Sequence, residues 1–140
     1  GLYLMRVLVD TDVVSYGFRA DSRFQTFYGP ALVGKQPFIS FMAMAELEFG
    51  VAKANWGERR ISALRAYLSS NFIDVVPTHA ICRKWGQLMS EAASQGRILN
   101  VGDGWIAATA VILGIPLMTN NRSDFDYLAG LQLITYDGEA

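Results

Sequence analysis

At 140 residues, with 51% apolar and 18% charged side chains, the chain has the size and composition of one globular domain able to bury a core. A formal net charge of −1 points to neither a nucleic-acid nor a membrane surface, and no apolar run reaches the ~18–20 residues a membrane-spanning helix needs. The start lacks the basic, apolar and small-residue zones of a secretory signal, so a cytoplasmic protein is expected. Residues 5–140 are expected to form a single domain, with residues 1–4 an extension ahead of Met5, and the lone Cys82 is expected in the core.

The first element is the β-forming run Met5–Val9, followed at once by Asp10 and Asp12. "PFISFM" (37–42) reads as the second strand, and Met44, Leu47 and Val51 at i, i+3, i+7 read as the helix after it, which carries Glu46. Ile61, Leu64 and Leu68 mark a further helix, and "FIDVVPT" (72–78) the third strand. Ile81, Trp85, Leu88 and Ala92 continue as a helix behind His79, the chain's one histidine, read as structural or exposed. "NVGDGW" then places Asp103 at the head of a helix through Ile106, Ala110 and Leu113, which Gly114 and Pro116 close. "IPLMTN" (115–120) and "LQLITY" (131–136) are the last strands, with Asp124 in the loop between them. Strands alternating with helices predict right-handed crossovers: an α/β fold, a three-layer α/β/α sandwich around a parallel five-stranded sheet.

In such sheets ligands bind beyond the carboxyl ends of the strands. Asp10, Glu46, Asp103 and Asp124 all map to that edge, although more than a hundred residues separate the first from the last. Singly each has a plain structural reading: Asp10, Asp12 and Asp103 as turn or cap residues, Glu46 as a solvated helix residue, Asp124 as the cap of "DFDYL". Jointly they do not, because capping gives no reason for an acid after three strands and another on the apolar helix "FMAMAELEFG". Carboxylates with no histidine or thiolate form a hard oxygen site suited to Mg²⁺ or Mn²⁺, and magnesium sites commonly take substrate phosphate. A phosphodiester or phosphate ester follows as the substrate class, with metal-activated water as nucleophile. Thr119, Asn120 and Asn121 end the fourth strand with groups able to hold a water or a phosphate oxygen, or simply to form the loop.

"VLVDTDVV" satisfies the signature of haloacid dehalogenase-like phosphatases, with Asp10 as nucleophile and Asp12 as general acid, and "VGDGWIAATAVILGI" resembles their late Gly-Asp motif. That motif needs a second acid a few residues on, where this chain has Trp105, Ile106, Ala107 and Ala108, and Glu46 would have no role. The fuller resemblance is to the PIN domain, of the VapC toxin ribonuclease type. "RVLVDTDVVS" resembles the opening strand and its Asp, with Asp12 where that family often has Asn. "SFMAMAELEFGV" is similar to the Glu-bearing helix, "DGWIAATAVILGIPLMTNN" to the Asp-any-Trp-Ile-Ala-Ala-Thr-Ala segment, and "TNNRSDFDYLAGLQLI" to the closing block.

The resemblance implies a Mg²⁺-dependent endoribonuclease acting on single-stranded or loop RNA. It implies metal ligation by Asp10, Glu46, Asp103 and Asp124, with Thr119 and Asn121 in support, a small antitoxin partner, and a homodimer. A PIN-like module that binds RNA or a partner without cutting is the reading from another class; loss of any of the four acids would favour it, and none is missing. Tyr16, Phe18, Phe24, Phe27 and Tyr28, interleaved with Arg19 and Arg23, are expected mostly in the core, or else to line a groove for an antitoxin or for unpaired bases. Arg59, Arg60, Arg65, Arg83, Lys84 and Arg97 are candidates for RNA backbone contact or ordinary solvated faces.

Overall fold

The computed structural model describes residues 4–136, so residues 1–3 and the expected domain end at 140 lie outside the described residues. Five strands form one parallel sheet: β1 (Met5–Val9), β2 (Lys35–Ser40), β3 (Ile73–Val75), β4 (Leu117–Met118) and β5 (Leu133–Ile134), in the order β3-β2-β1-β4-β5. Six α-helices accompany them: α1 (Thr11–Phe18), α2 (Gly29–Leu32), α3 (Phe41–Ala54), α4 (Glu58–Asn71), α5 (His79–Ser94) and α6 (Val101–Leu113). β1 is central, and successive residues Val7, Leu8 and Val9 are all at most 1% exposed. Neighbouring residues of a strand face opposite ways, so both sheet faces are covered, as the continuous apolar run requires.

The sequence reading and the structure differ at several boundaries. β2 stops at Ser40 because its hydroxyl caps α3, accepting from the Ala43 N–H at 3.1 Å; Phe41 and Met42 are therefore helical. α1 has no counterpart in the expected elements, and a single π turn (Phe24–Tyr28) and the short α2 follow it. Asp124 lies inside a 3-10 turn, Arg122–Asp124, rather than capping a helix at "DFDYL". α6 ends as expected: Gly114 takes φ +67, the left-handed cap that a side chain disfavours. Cys82 is not in the core but exposed, because it follows buried Ile81 on the outward side of α5. Of the five aromatics of 16–28, Tyr28 is fully buried, and Tyr16, Phe18, Phe24 and Phe27 pack half-buried against the core. Among the described residues no helix is long and apolar enough to cross a membrane.

The chain leaves β1 for β2 on one side and reaches β4 on the other, so the strand order reverses between β1 and β4. The crevice beyond their carboxyl ends is where such sheets bind ligands. Asp10 follows β1 and Thr119 follows β4, which places both at that point.

Candidate active site

Pairing of β1 with β4 locks Asp10 in place, its N–H donating to the Met118 carbonyl at 2.9 Å. The Asp10 carboxylate is the N-cap of α1, Oδ1 accepting from the Thr11 N–H at 2.8 Å. Its Oδ2 accepts from Thr119 Oγ1 at 2.7 Å. Cap and site residue are thus one and the same. Burial, and next the Asp12 charge, push the Asp10 carboxyl up to about 7, against the pull of the Thr119 and Thr11 hydrogen bonds.

Asp12, in the first turn of α1, joins the helix to the loop after β4. Its Oδ2 accepts from the Asn120 N–H at 3.0 Å and from Asn121 Nδ2 at 3.1 Å, and burial raises its carboxyl above the usual range. Thr119 is fully buried and receives the Asn121 N–H on Oγ1 at 3.1 Å, so it orders the loop as well as Asp10. Asn120 is held in turn by Tyr28, whose hydroxyl donates to Asn120 Oδ1 at 2.7 Å.

Glu46 comes from α3, with Oε1 accepting from Thr11 Oγ1 at 2.5 Å. Its Oε2 lies over the first turn of α6, where a Cβ on Gly102 would stand 2.6 Å away. Glycine at 102 is what lets the carboxylate approach. Asn100 caps α6, and Asp103 stands in its first turn, where the helix dipole favours an acid. Even so, burial, and then the charges of Asp124, Glu46 and Asp12, raise the Asp103 carboxyl to about 6.

Asp10, Asp12, Glu46, Asp103 and Asn121 line one cavity of about 460 Å³, together with the apolar side chains of Phe18, Leu47, Val51, Trp56 and Leu64. Asp124, exposed, lines a second cavity of about 260 Å³ that shares Asp103 with the first. The structure therefore brings three of the four expected acids to one cavity and joins the fourth to them through Asp103. His79 is exposed at the head of α5 and lines neither cavity. Asp12, Asn120, Tyr28, Thr11 and Gly102 surround these acids; Asp12 and Asn120 were candidates in the sequence and Tyr28 was expected in the core, whereas nothing local marked Thr11 or Gly102.

Among the described residues, no three Asp, Glu, His or Cys side chains converge closely enough to hold an ion as they stand. The chemistry of the donors nonetheless fits a hard divalent cation: every donor is oxygen, no cationic side chain lines the first cavity, and the carboxylates destabilise one another's charged forms.

Residues 7–137 match the PIN domain family. The chain is 30% identical over 132 residues to ribonuclease VapC4 of Mycobacterium tuberculosis, covering 93% of this chain and 96% of that one. It is 33% identical over 95 residues to the tRNA(fMet)-specific endonuclease VapC of Shigella flexneri, covering 67% and 70%. Its fold superposes on the VapBC2 structure from Rickettsia felis bound to a promoter DNA fragment with a TM-score of 0.83, at 26% identity and 95% and 100% coverage. PIN-domain ribonucleases are metal-dependent in general, in keeping with the oxygen donors described above. The chain belongs to the PIN domain family, and within it to the VapC ribonucleases.

Proposed function

We propose that this chain is a Mg²⁺-dependent endoribonuclease, with Mn²⁺ able to replace Mg²⁺, that hydrolyses RNA phosphodiesters as the toxin of a cytoplasmic toxin–antitoxin pair. One observation carries the reading: Asp10, Asp12, Glu46 and Asp103 line a single cavity that no cationic side chain enters. Carboxylates so gathered, Asp10 buried and the other three partly buried, need a counter-charge. Asp10, Glu46 and Asp103 are the proposed metal ligands, with Asp124 joining from the neighbouring cavity. When bound, Mg²⁺ supplies charge neutralisation at the phosphate and Lewis-acid activation of water.

The chain's own residues fix where that happens. Thr119 aims one oxygen of Asp10 and the Thr11 amide the other, while Thr11 Oγ1 holds Glu46. Asp12 and Asn121 keep the loop after β4 closed on the first turn of α1. Each is a direct hydrogen bond of 2.5–3.1 Å, which suits a site that must present charge in one geometry.

The Rickettsia felis neighbour is a VapBC2 assembly bound to promoter DNA, which supports a small antitoxin partner for this chain; a homodimer is proposed on the family resemblance. The family match over residues 7–137 supports reading 5–140 as one domain. The test is cleavage of bulk tRNA and single-stranded RNA with Mg²⁺, Mn²⁺ or EDTA, by wild type, Asp10→Asn and Asp103→Asn, beside a chromogenic phosphomonoester. Metal-dependent RNA cutting lost in both variants is expected. Monoester turnover without RNA cutting would move the function to a phosphatase.

A further inference from the structure

Asp103 separates two cavities of different chemistry. The larger is lined by Asp10, Asp12, Glu46 and an apolar wall; the smaller is lined by Arg97, Asn100, Ser123, Asp124 and Tyr127, and Asp103 borders both. Of the described residues that line these two cavities, Arg97 alone is cationic. Its position is set by the backbone: α5 ends, Gly96 turns the chain at φ +71, and the Arg97 N–H returns to the Ala92 carbonyl at 2.9 Å. The guanidinium then lies over the Tyr127 ring, Cζ 4.2 Å from its centroid, and makes no ion pair with any described acid. Stacking of this kind uses the flat face of the guanidinium and leaves its N–H edge for an anion.

An RNA strand that delivers a phosphate to Asp103 must lay its next phosphate on one side or the other. The larger cavity presents three further carboxylates and repels it. The smaller presents an oriented guanidinium, a serine and an asparagine against one further carboxylate, Asp124. We propose that this smaller cavity is an RNA-backbone subsite in which Arg97 holds the phosphate adjacent to the scissile one, with Tyr127 as the positioning residue that keeps the guanidinium in place. The assignment rests on the endoribonuclease reading, and it gives the strand a direction: backbone towards Arg97 and Tyr127, base towards the apolar wall of Phe18 and Trp56 in the larger cavity.

The test is steady-state cleavage of bulk tRNA in Mg²⁺, with the salt dependence of tRNA affinity measured by fluorescence anisotropy in EDTA. Arg97→Ala is expected to raise KM roughly tenfold, the scale of one charge-assisted contact. Its salt slope should fall by about one, and kcat should stay within about twofold because the contact is made equally in ground and transition states. Arg97→Lys should keep the slope and recover part of the affinity, Tyr127→Phe should match wild type, and Tyr127→Leu should follow Arg97→Ala. Far-ultraviolet circular dichroism identical to wild type ties these effects to the subsite rather than to folding. Wild-type KM and salt slope in Arg97→Ala, with cleavage intact, would overturn the subsite while leaving the nuclease standing. The same result joined to a loosened complex with a co-purified antitoxin would reassign the cavity to the protein partner. Wild type that cuts no RNA removes the nuclease reading and the subsite with it.

Discussion

Thr119 Oγ1 donates to Asp10 Oδ2 at 2.7 Å across 109 residues of sequence, and it does so where the strand order of the sheet reverses. Both groups are buried, so each depends on the other for satisfaction. Thr119→Val keeps the shape and removes the donor, leaving one oxygen of a buried carboxylate unpaired. The expected loss is about 1–3 kcal/mol in urea denaturation, with a fall in RNA cleavage, and Thr119→Ser should restore most of both. A Thr119→Val protein as stable and active as wild type would mean the bond does not orient Asp10.

Gly102 separates stability from activity. A methyl group there meets Glu46 Oε2 at 2.6 Å, the end of a flexible side chain that can swing aside. Helix propensity favours alanine over glycine by roughly 0.5–1 kcal/mol, so Gly102→Ala should melt within a few degrees of wild type. Displacement of the Glu46 carboxylate should nonetheless cut the metal-dependent cleavage rate about tenfold or more. Calorimetry and initial rates on the same preparation check both halves.

Stability of the metal-free protein should fall as pH rises. Asp10 titrates at about 7 when folded, against 3.8 for an ordinary aspartate. Between those values the folded chain holds a proton that the unfolded chain has released, so raising the pH through this window favours unfolding. In EDTA the urea midpoint should therefore decrease from about pH 5 to about pH 8, and Asp10→Asn should flatten that decline. Added Mg²⁺ should restore stability at the upper end, because it binds the ionised carboxylates of the folded state alone.

Tyr28 has no place in the chemistry, yet its hydroxyl ties three segments together. It donates to Asn120 Oδ1 at 2.7 Å and accepts from the Tyr136 N–H at 3.1 Å, from inside the core. Tyr28→Phe should cost about 1–2 kcal/mol and loosen the loop that Asp12 and Asn121 close. Faster amide exchange at Asn120 and Asn121, with cleavage lowered severalfold, is the expected signature.

The amino-acid sequence by itself determined the alternation of strands and helices, because apolar period and turn residues are local properties. The runs of β1 and β4, the spacing of Leu64 and Leu68, and the Gly114 stop were legible for that reason. It also marked Glu46, since an acid within an apolar helix contradicts its own surroundings. α1 was not legible: Val13 and Val14 continue the β-forming run of β1, and only the Asp10 cap, with burial of those two valines against the core, turns the chain into a helix. Cys82 faces solvent because the phase of α5 is set by Ile81, Leu88 and Ala92 packing inward. What tertiary structure alone decided is the partnership of distant residues: Asp12 with Asn120 and Asn121, Glu46 with Thr11 over Gly102, and Arg97 laid on Tyr127 beside Asp103. No local pattern encodes these contacts. They arise because a parallel sheet gathers the carboxyl ends of its strands at one edge, and a buried polar group there takes whichever partner that edge brings within hydrogen-bonding reach.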